Sequence, residues 1–227
     1  MHIYAFGSIC RGELREGSDV DLLAVVEGYD ARFDPEMFSI YSYSRLNDLW
    51  AEGNPFAWHL FLESRLIFAS NQQDFLESLG TPAQYLRCVR DCEKFHSVFE
   101  AAHSAILGSS KSRVFELSTI FLSIRNIATC FSLGTNAKPD FSRHSALHLG
   151  SNSIRLPNDA YSVLERARIL STRAEGSRLS DQELDLVLPT LEHVKKWMER
   201  LIAHARAYER VSKSNGSPAT DLAVGKS

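Results

Sequence analysis

Apolar and polar residues alternate in two different rhythms along this chain, and the change comes near residue 80. Before it, short apolar runs are bounded by glycine and polar clusters. His2–Phe6 reads as a strand, because it is β-prone and ends on Gly7. Asp19–Val26 reads as the next strand, Phe38–Tyr43 alternates in a strand-like way, and Leu66–Phe68 is a short final one. Between them, Glu27–Asp30 is a turn, and Ser44 is placed to cap a helix over Arg45–Glu52. Gly53-Asn54-Pro55 breaks that helix, and Phe56–Glu63 forms another. The pattern predicts a small mixed sheet with helices over residues 1–70.

After residue 80 the period becomes helical. Thr81 and Pro82 suit the cap and first turn of a helix reaching Leu107. Ser112–Leu133 is apolar on most sides and meets Gly134, which predicts a central helix stopped by glycine. Asn136–Asp140 is a loop, and Asn158–Ala174 is a third helix. Ser180–Tyr208 is the fourth, opened by a Ser180-x-x-Glu183 capping box and broken near Pro189. The expected fold class is α+β: a mixed-sheet domain, then an antiparallel helical bundle over 80–208. Residues 209–227 are expected to be a disordered tail, since Lys213–Ser227 is polar and rich in small residues.

Composition narrows the function classes. A length of 227 residues suits one large domain or two small ones, and a net charge of −3 does not favour nucleic-acid binding. The first residues lack a basic segment followed by a long apolar run. Cys10, Cys88, Cys92 and Cys130 are then expected to be reduced thiols in a cytoplasmic protein. No membrane span is expected, because Arg113, Glu116 and Arg125 interrupt the most apolar region, Glu116–Ile127.

The densest chemistry lies in the first 26 residues. Gly7 lets the backbone turn sharply and approach a ligand. Ser8 is expected to cap a short helix over Ser8–Leu14, whose free amides favour a phosphate. On a strand, Asp19 and Asp21 point the same way. Two such carboxylates are costly unless solvated or neutralised, and oxygen ligands with substrate phosphates suit Mg²⁺. The plainer reading is a turn at Gly7-Ser8 and a loop cap at Ser18-Asp19.

Gly7-Ser8-Ile9-Cys10-Arg11-Gly12-Glu13, followed by Gly17-Ser18-Asp19-Val20-Asp21-Leu22, resembles the signature of the nucleotidyltransferase superfamily related to DNA polymerase β. It looks closest to the minimal and aminoglycoside nucleotidyltransferases. The resemblance implies that Gly7 and Ser8 hold a triphosphate and that Asp19 and Asp21 bind Mg²⁺ and serve catalysis. Arg11 and Ser18 join the candidate nucleotide contacts. It further implies transfer of a nucleoside monophosphate from a nucleoside triphosphate to a hydroxyl of a small molecule or protein, and a homodimer. Family members usually carry a helix before the first strand, whereas this sequence begins at that strand. They also carry a third carboxylate on a later strand. The corresponding Met37–Tyr43 contains none, leaving Glu36 or Glu63 as substitutes or as solvated surface groups. Ser39, Tyr41 and Tyr43 are expected on one face there, putting hydroxyls where the acid would be. The alternative function is a catalytically weak or inactive nucleotide-binding, antitoxin-like interaction module.

Other clusters carry less. Arg11 and Arg15 flank the turn, either to meet triphosphate or to balance Glu13 and Glu16. Cys88, Cys92 and His96 share a helix face, and His144 and His148 repeat the spacing; core and surface roles are favoured over zinc. Arg125-Asn126 starts a ribonuclease-like motif of some helical relatives, but Cys130-Phe131-Ser132 stands where its histidine would fall, so Arg125 is expected in a buried or interdomain ion pair. His59 beside Trp58 suits an aromatic cluster, with base contact as the alternative.

Overall fold

The structure, a computed structural model, describes residues 1–13, 20–108, 112–135 and 138–214. Leu14, Arg15, Glu16, Ser18, Asp19 and residues 215–227 therefore lie outside the described residues. The chain divides into two compact units, Met1–Leu86 and Arg87–Ser227.

The first unit is built on a four-stranded mixed sheet in the order β3-β2-β1-β4. Its strands are β1 (His2–Phe6), β2 (Asp21–Val26), β3 (Phe38–Ser42) and β4 (Ser64–Ala69). The central strand β1 runs antiparallel to β2 and β4, and β2 runs parallel to β3. Alternation sorts the side chains. Tyr4, Phe6, Leu23 and Val25 pack on one face under α1 (Tyr43–Ala51), α2 (Pro55–Glu63) and the short α3 (Phe75–Ser78). Ala24 and Val26 pack on the other with Phe33, Phe38 and Ile40.

Several boundaries shift for local reasons. Ser42, not Ser44, caps α1: its hydroxyl accepts from the Arg45 amide at 3.1 Å, and Tyr43 is already helical. Asn54 caps α2, with Pro55 in the first turn. The expected helix start at Thr81-Pro82 is not formed. Residues 81–86 run irregularly, and the backbone around Ala83 is committed to the first unit: the Ala83 amide donates to Trp50 O, and the indoles of Trp50 and Trp58 donate to Gly80 O and Ala83 O.

The second unit is helical: α4 (Cys88–Leu107), α5 (Arg113–Gly134), α6 (Asn158–Arg173), α7 (Asp181–Val187) and α8 (Leu191–Ser214). Helices α4 and α5 are antiparallel, since Cys88 meets Cys130 and Cys92 meets Ile127. Likewise α4 and α8 are antiparallel, joined by Glu93–Arg206 and Glu100–Lys195. Gly134 is not the left-handed stop expected after α5. It is the last helical residue, and a Cβ there would lie 2.3 Å from Cys88 Cβ, so its bareness lets α4 approach. The capping box forms as expected, with the Ser180 hydroxyl and Glu183 exchanging bonds at α7. Helix α8 follows the break at Leu188–Thr190 and continues past Tyr208 to Ser214.

By length and composition α5 could cross a membrane, contrary to the sequence expectation. In the fold its apolar residues are buried in the helical packing, Leu117, Ile120, Ile124 and Ile127 completely so. Arg125 reaches the Phe141 carbonyl at 3.1 Å, and the Ser145 hydroxyl donates to Arg125 O.

Candidate functional site

Strand β1 delivers the chain to Gly7 at the edge of the apolar face. Gly7 has φ 75°, a left-handed conformation that glycine adopts without strain. A single 3₁₀ turn, Gly7–Arg11, follows, and Gly12, also left-handed at φ 73°, ends it by donating to Ile9 O. Ser8 therefore sits inside the turn, and Phe6 occupies the cap position. The α-helix expected over Ser8–Leu14 is shorter and tighter than that pattern implied. In any such turn the leading amides have no partner within it and remain available to an anion.

Asp21 opens β2 opposite Phe6. It is exposed, and its carboxylate lies against the glycine: a Cβ on Gly7 would meet Asp21 Oδ2 at 2.7 Å. The glycine turn and the Asp21 carboxylate are thus brought side by side by the pairing of β1 with β2. Ser18 and Asp19, the other half of that expectation, lie outside the described residues.

The register of β3 shows what stands beside Asp21. Leu23 pairs with Ser39 and Val25 with Tyr41, so Ser39 and Tyr41 share Asp21's face of the sheet. Tyr43, expected with them, has left the strand for α1, and its hydroxyl lies 2.7 Å from His2 Nδ1. Glu36 is exposed on the loop before β3, its amide donating to Asp34.

Glu63 is closer to the turn. Phe6 pairs with Asp21 on one side and Ser64 on the other, so the end of α2 is brought beside the start of the turn. Glu63 Oε2 accepts from Arg11 Nη1 and lies 3.0 Å from His59 Nε2. Arg11 also donates to Glu13 at 3.0 Å. Burial would lower the pKa of Arg11, but hydrogen bonds and charges from Glu13 and Glu63 more than offset it, so the value is raised. Cys10, beside this cluster, has its thiol pushed up, chiefly by burial. The His59 ring packs edge-on against Phe6 and Phe56, as an aromatic cluster should. Sequence reasoning treated Arg11, His59 and Glu63 separately. The four-residue step from His59 to Glu63 was legible, but the link to Arg11 depends on sheet register.

The remaining candidates are structural in placement. Cys88 and Cys92 are buried and donate to carbonyls of α5. His96 lies between Glu100 and Glu199, and His148 lies 2.7 Å from Asp140. Among the described residues no group of three or more His, Cys, Asp or Glu side chains is arranged to hold a metal ion.

No curated protein matches the chain. The nucleotidyltransferase domain family matches residues 2–85, nearly the whole first unit. That family is typically metal-dependent and implies a nucleoside triphosphate substrate. With the glycine turn seated against Asp21, the conclusion is that residues 2–85 are a nucleotidyltransferase domain of the DNA polymerase β-like kind, followed by a helical region.

Proposed function

We propose that this protein is a Mg²⁺-dependent nucleotidyltransferase that moves a nucleoside monophosphate onto a hydroxyl of a small molecule or protein. The carrying observation is the contact between Gly7 and Asp21, which leaves no room for a side chain between turn and carboxylate. A hard, exposed carboxylate beside the start of a glycine turn fits a cation that arrives with phosphates. Asp21, with Asp19, would hold Mg²⁺. Bound there, the ion supplies positive charge to the phosphate oxygens.

The chain's own groups do the rest. Amides of the Gly7–Arg11 turn and the Ser8 hydroxyl hold the β- and γ-phosphates. The acceptor oxygen attacks the α-phosphorus in line, the bond to the β-phosphate oxygen breaks, and pyrophosphate leaves with that electron pair. Ser39 and Tyr41 offer hydroxyls, not a carboxylate, near the acceptor, so help in removing its proton is weak.

That same observation favours a second reading, a nucleotide-binding interaction module with little turnover. Glu63 sharpens it, because Arg11 and His59 already engage its carboxylate. Incubation with each labelled nucleoside triphosphate and Mg²⁺ separates the two. Pyrophosphate release or label transfer that disappears in Asp21→Ala supports the enzyme. Nucleotide binding with no turnover supports the module.

A further inference from the structure

Away from the nucleotidyltransferase domain, the second unit contains a cleft of about 220 Å³ between the Gly150–Asn152 turn and α8. Ser151, Asn152, Ser153 and Arg155 line one side, and His193, Trp197, Arg200 and Leu201 line the other. Its floor is fixed. The buried Trp197 indole donates to Asn152 O at 2.8 Å, and His204 Nδ1 lies 2.9 Å from Asn152 Oδ1.

The lining is unbalanced in charge. It contains two arginines and a histidine and no carboxylate. Among the described residues, Arg155, Arg200 and His193 form no ion pair. No acid lies three or four residues from His193 or Arg200 on α8; those positions hold Pro189, Thr190, Lys196, Trp197, Ala203 and His204. The contrast is within one helix. On the side facing α4, Lys195 and Arg206 are matched by Glu100 and Glu93.

We infer that this cleft binds a small phosphate ester. Guanidinium forks match the tetrahedral oxyanion in bidentate fashion, and the Ser151 hydroxyl adds a short polar contact. Trp197 and Leu201 supply an apolar wall for the group that carries the phosphate. The cleft's volume admits a phosphate with a small substituent and excludes an extended polymer.

The test is titration calorimetry on the full chain with inorganic phosphate, pyrophosphate, AMP, acetate and a 5′-phosphorylated oligonucleotide. Asp21→Asn is carried alongside to remove any signal from the first unit. Binding of AMP or another of the small phosphates is expected to persist in Asp21→Asn. It should weaken at least tenfold in Arg200→Ala and Arg155→Ala, with helical circular dichroism retained. Trp197 fluorescence, read in a Trp50→Phe, Trp58→Phe background, should respond to the same ligands. The inference is overturned if no small phosphate binds at millimolar concentration, or if the arginine variants bind normally. It is equally overturned if acetate competes on equal terms, if the oligonucleotide binds tighter than AMP, or if Asp21→Asn abolishes the signal.

Discussion

Gly7 and Gly134 both leave room for a neighbour, and they do so in opposite backbone conformations. Gly7 is left-handed and makes way for a carboxylate oxygen at the end of a central strand. Gly134 is helical and makes way for the Cβ and sulfur of Cys88 between two helices. In the first unit a missing side chain makes room beside an exposed carboxylate. In the second it closes an apolar seam. One residue type thus admits a carboxylate in one region and an apolar neighbour in the other, and the neighbour it meets decides which.

Four substitutions test that division, starting with the largest effect. Asp21→Asn should cut nucleotidyl transfer by roughly a thousandfold, about 4 kcal/mol of barrier, with the melting temperature almost unchanged. A radiolabel-transfer assay beside a thermal melt reads both. Equal losses in both would break the distinction. Gly134→Ala should do the reverse. The added Cβ would sit 2.3 Å from Cys88 Cβ, forcing α4 and α5 apart. The expected loss is about 3 kcal/mol in urea unfolding, and Cys88→Gly in the same chain should recover part of it.

Gly7→Ala comes next. A left-handed alanine costs about 1 kcal/mol, and its Cβ would crowd Asp21 Oδ2. Nucleotide affinity should fall roughly tenfold, measured by equilibrium dialysis. An unaltered affinity would separate the turn from the phosphate.

The smallest effect is a pH dependence in the second unit. Hydrogen bonds from the Ser180 amide, then Arg166 and the Ser180 hydroxyl, hold Glu183 down to about 2, from an ordinary value of 4.5. Because the folded pKa is depressed, the stability Glu183 contributes is full above pH 4.5 and is lost as pH falls towards 2. Glu183→Gln should flatten acid unfolding in that window, followed by circular dichroism. A wild-type slope in the variant would place the acid sensitivity elsewhere.

How much could be read in advance differs between the regions. The sheet unit was legible because strand alternation, glycine and the Gly7-Ser8 and Asp21 spacing are local signals. Its boundary was not, since Trp58 captures the Ala83 carbonyl and Trp50 O the Ala83 amide, groups that a propensity reading assigns to a helix beginning at Thr81. At Gly134, a rule about helix ends gave the right position for the wrong reason. Propensity registers what glycine does to its own backbone and carries no record of Cys88 across the seam.

Sequence alone determined the fold class, the glycine turn after the first strand, the capping box at Ser180 and the helix break near Pro189. Each is set by neighbours within a few residues, where dihedral preference and periodicity act. Tertiary structure decided that Asp21 touches Gly7, that Ser39 and Tyr41 stand on its face, and that Glu63 is tied to Arg11. It also decided that Arg155 and Arg200 line one cleft, whose lining holds no acid. Those contacts depend on strand register and helix packing, which join residues far apart in the chain and leave no local trace in it.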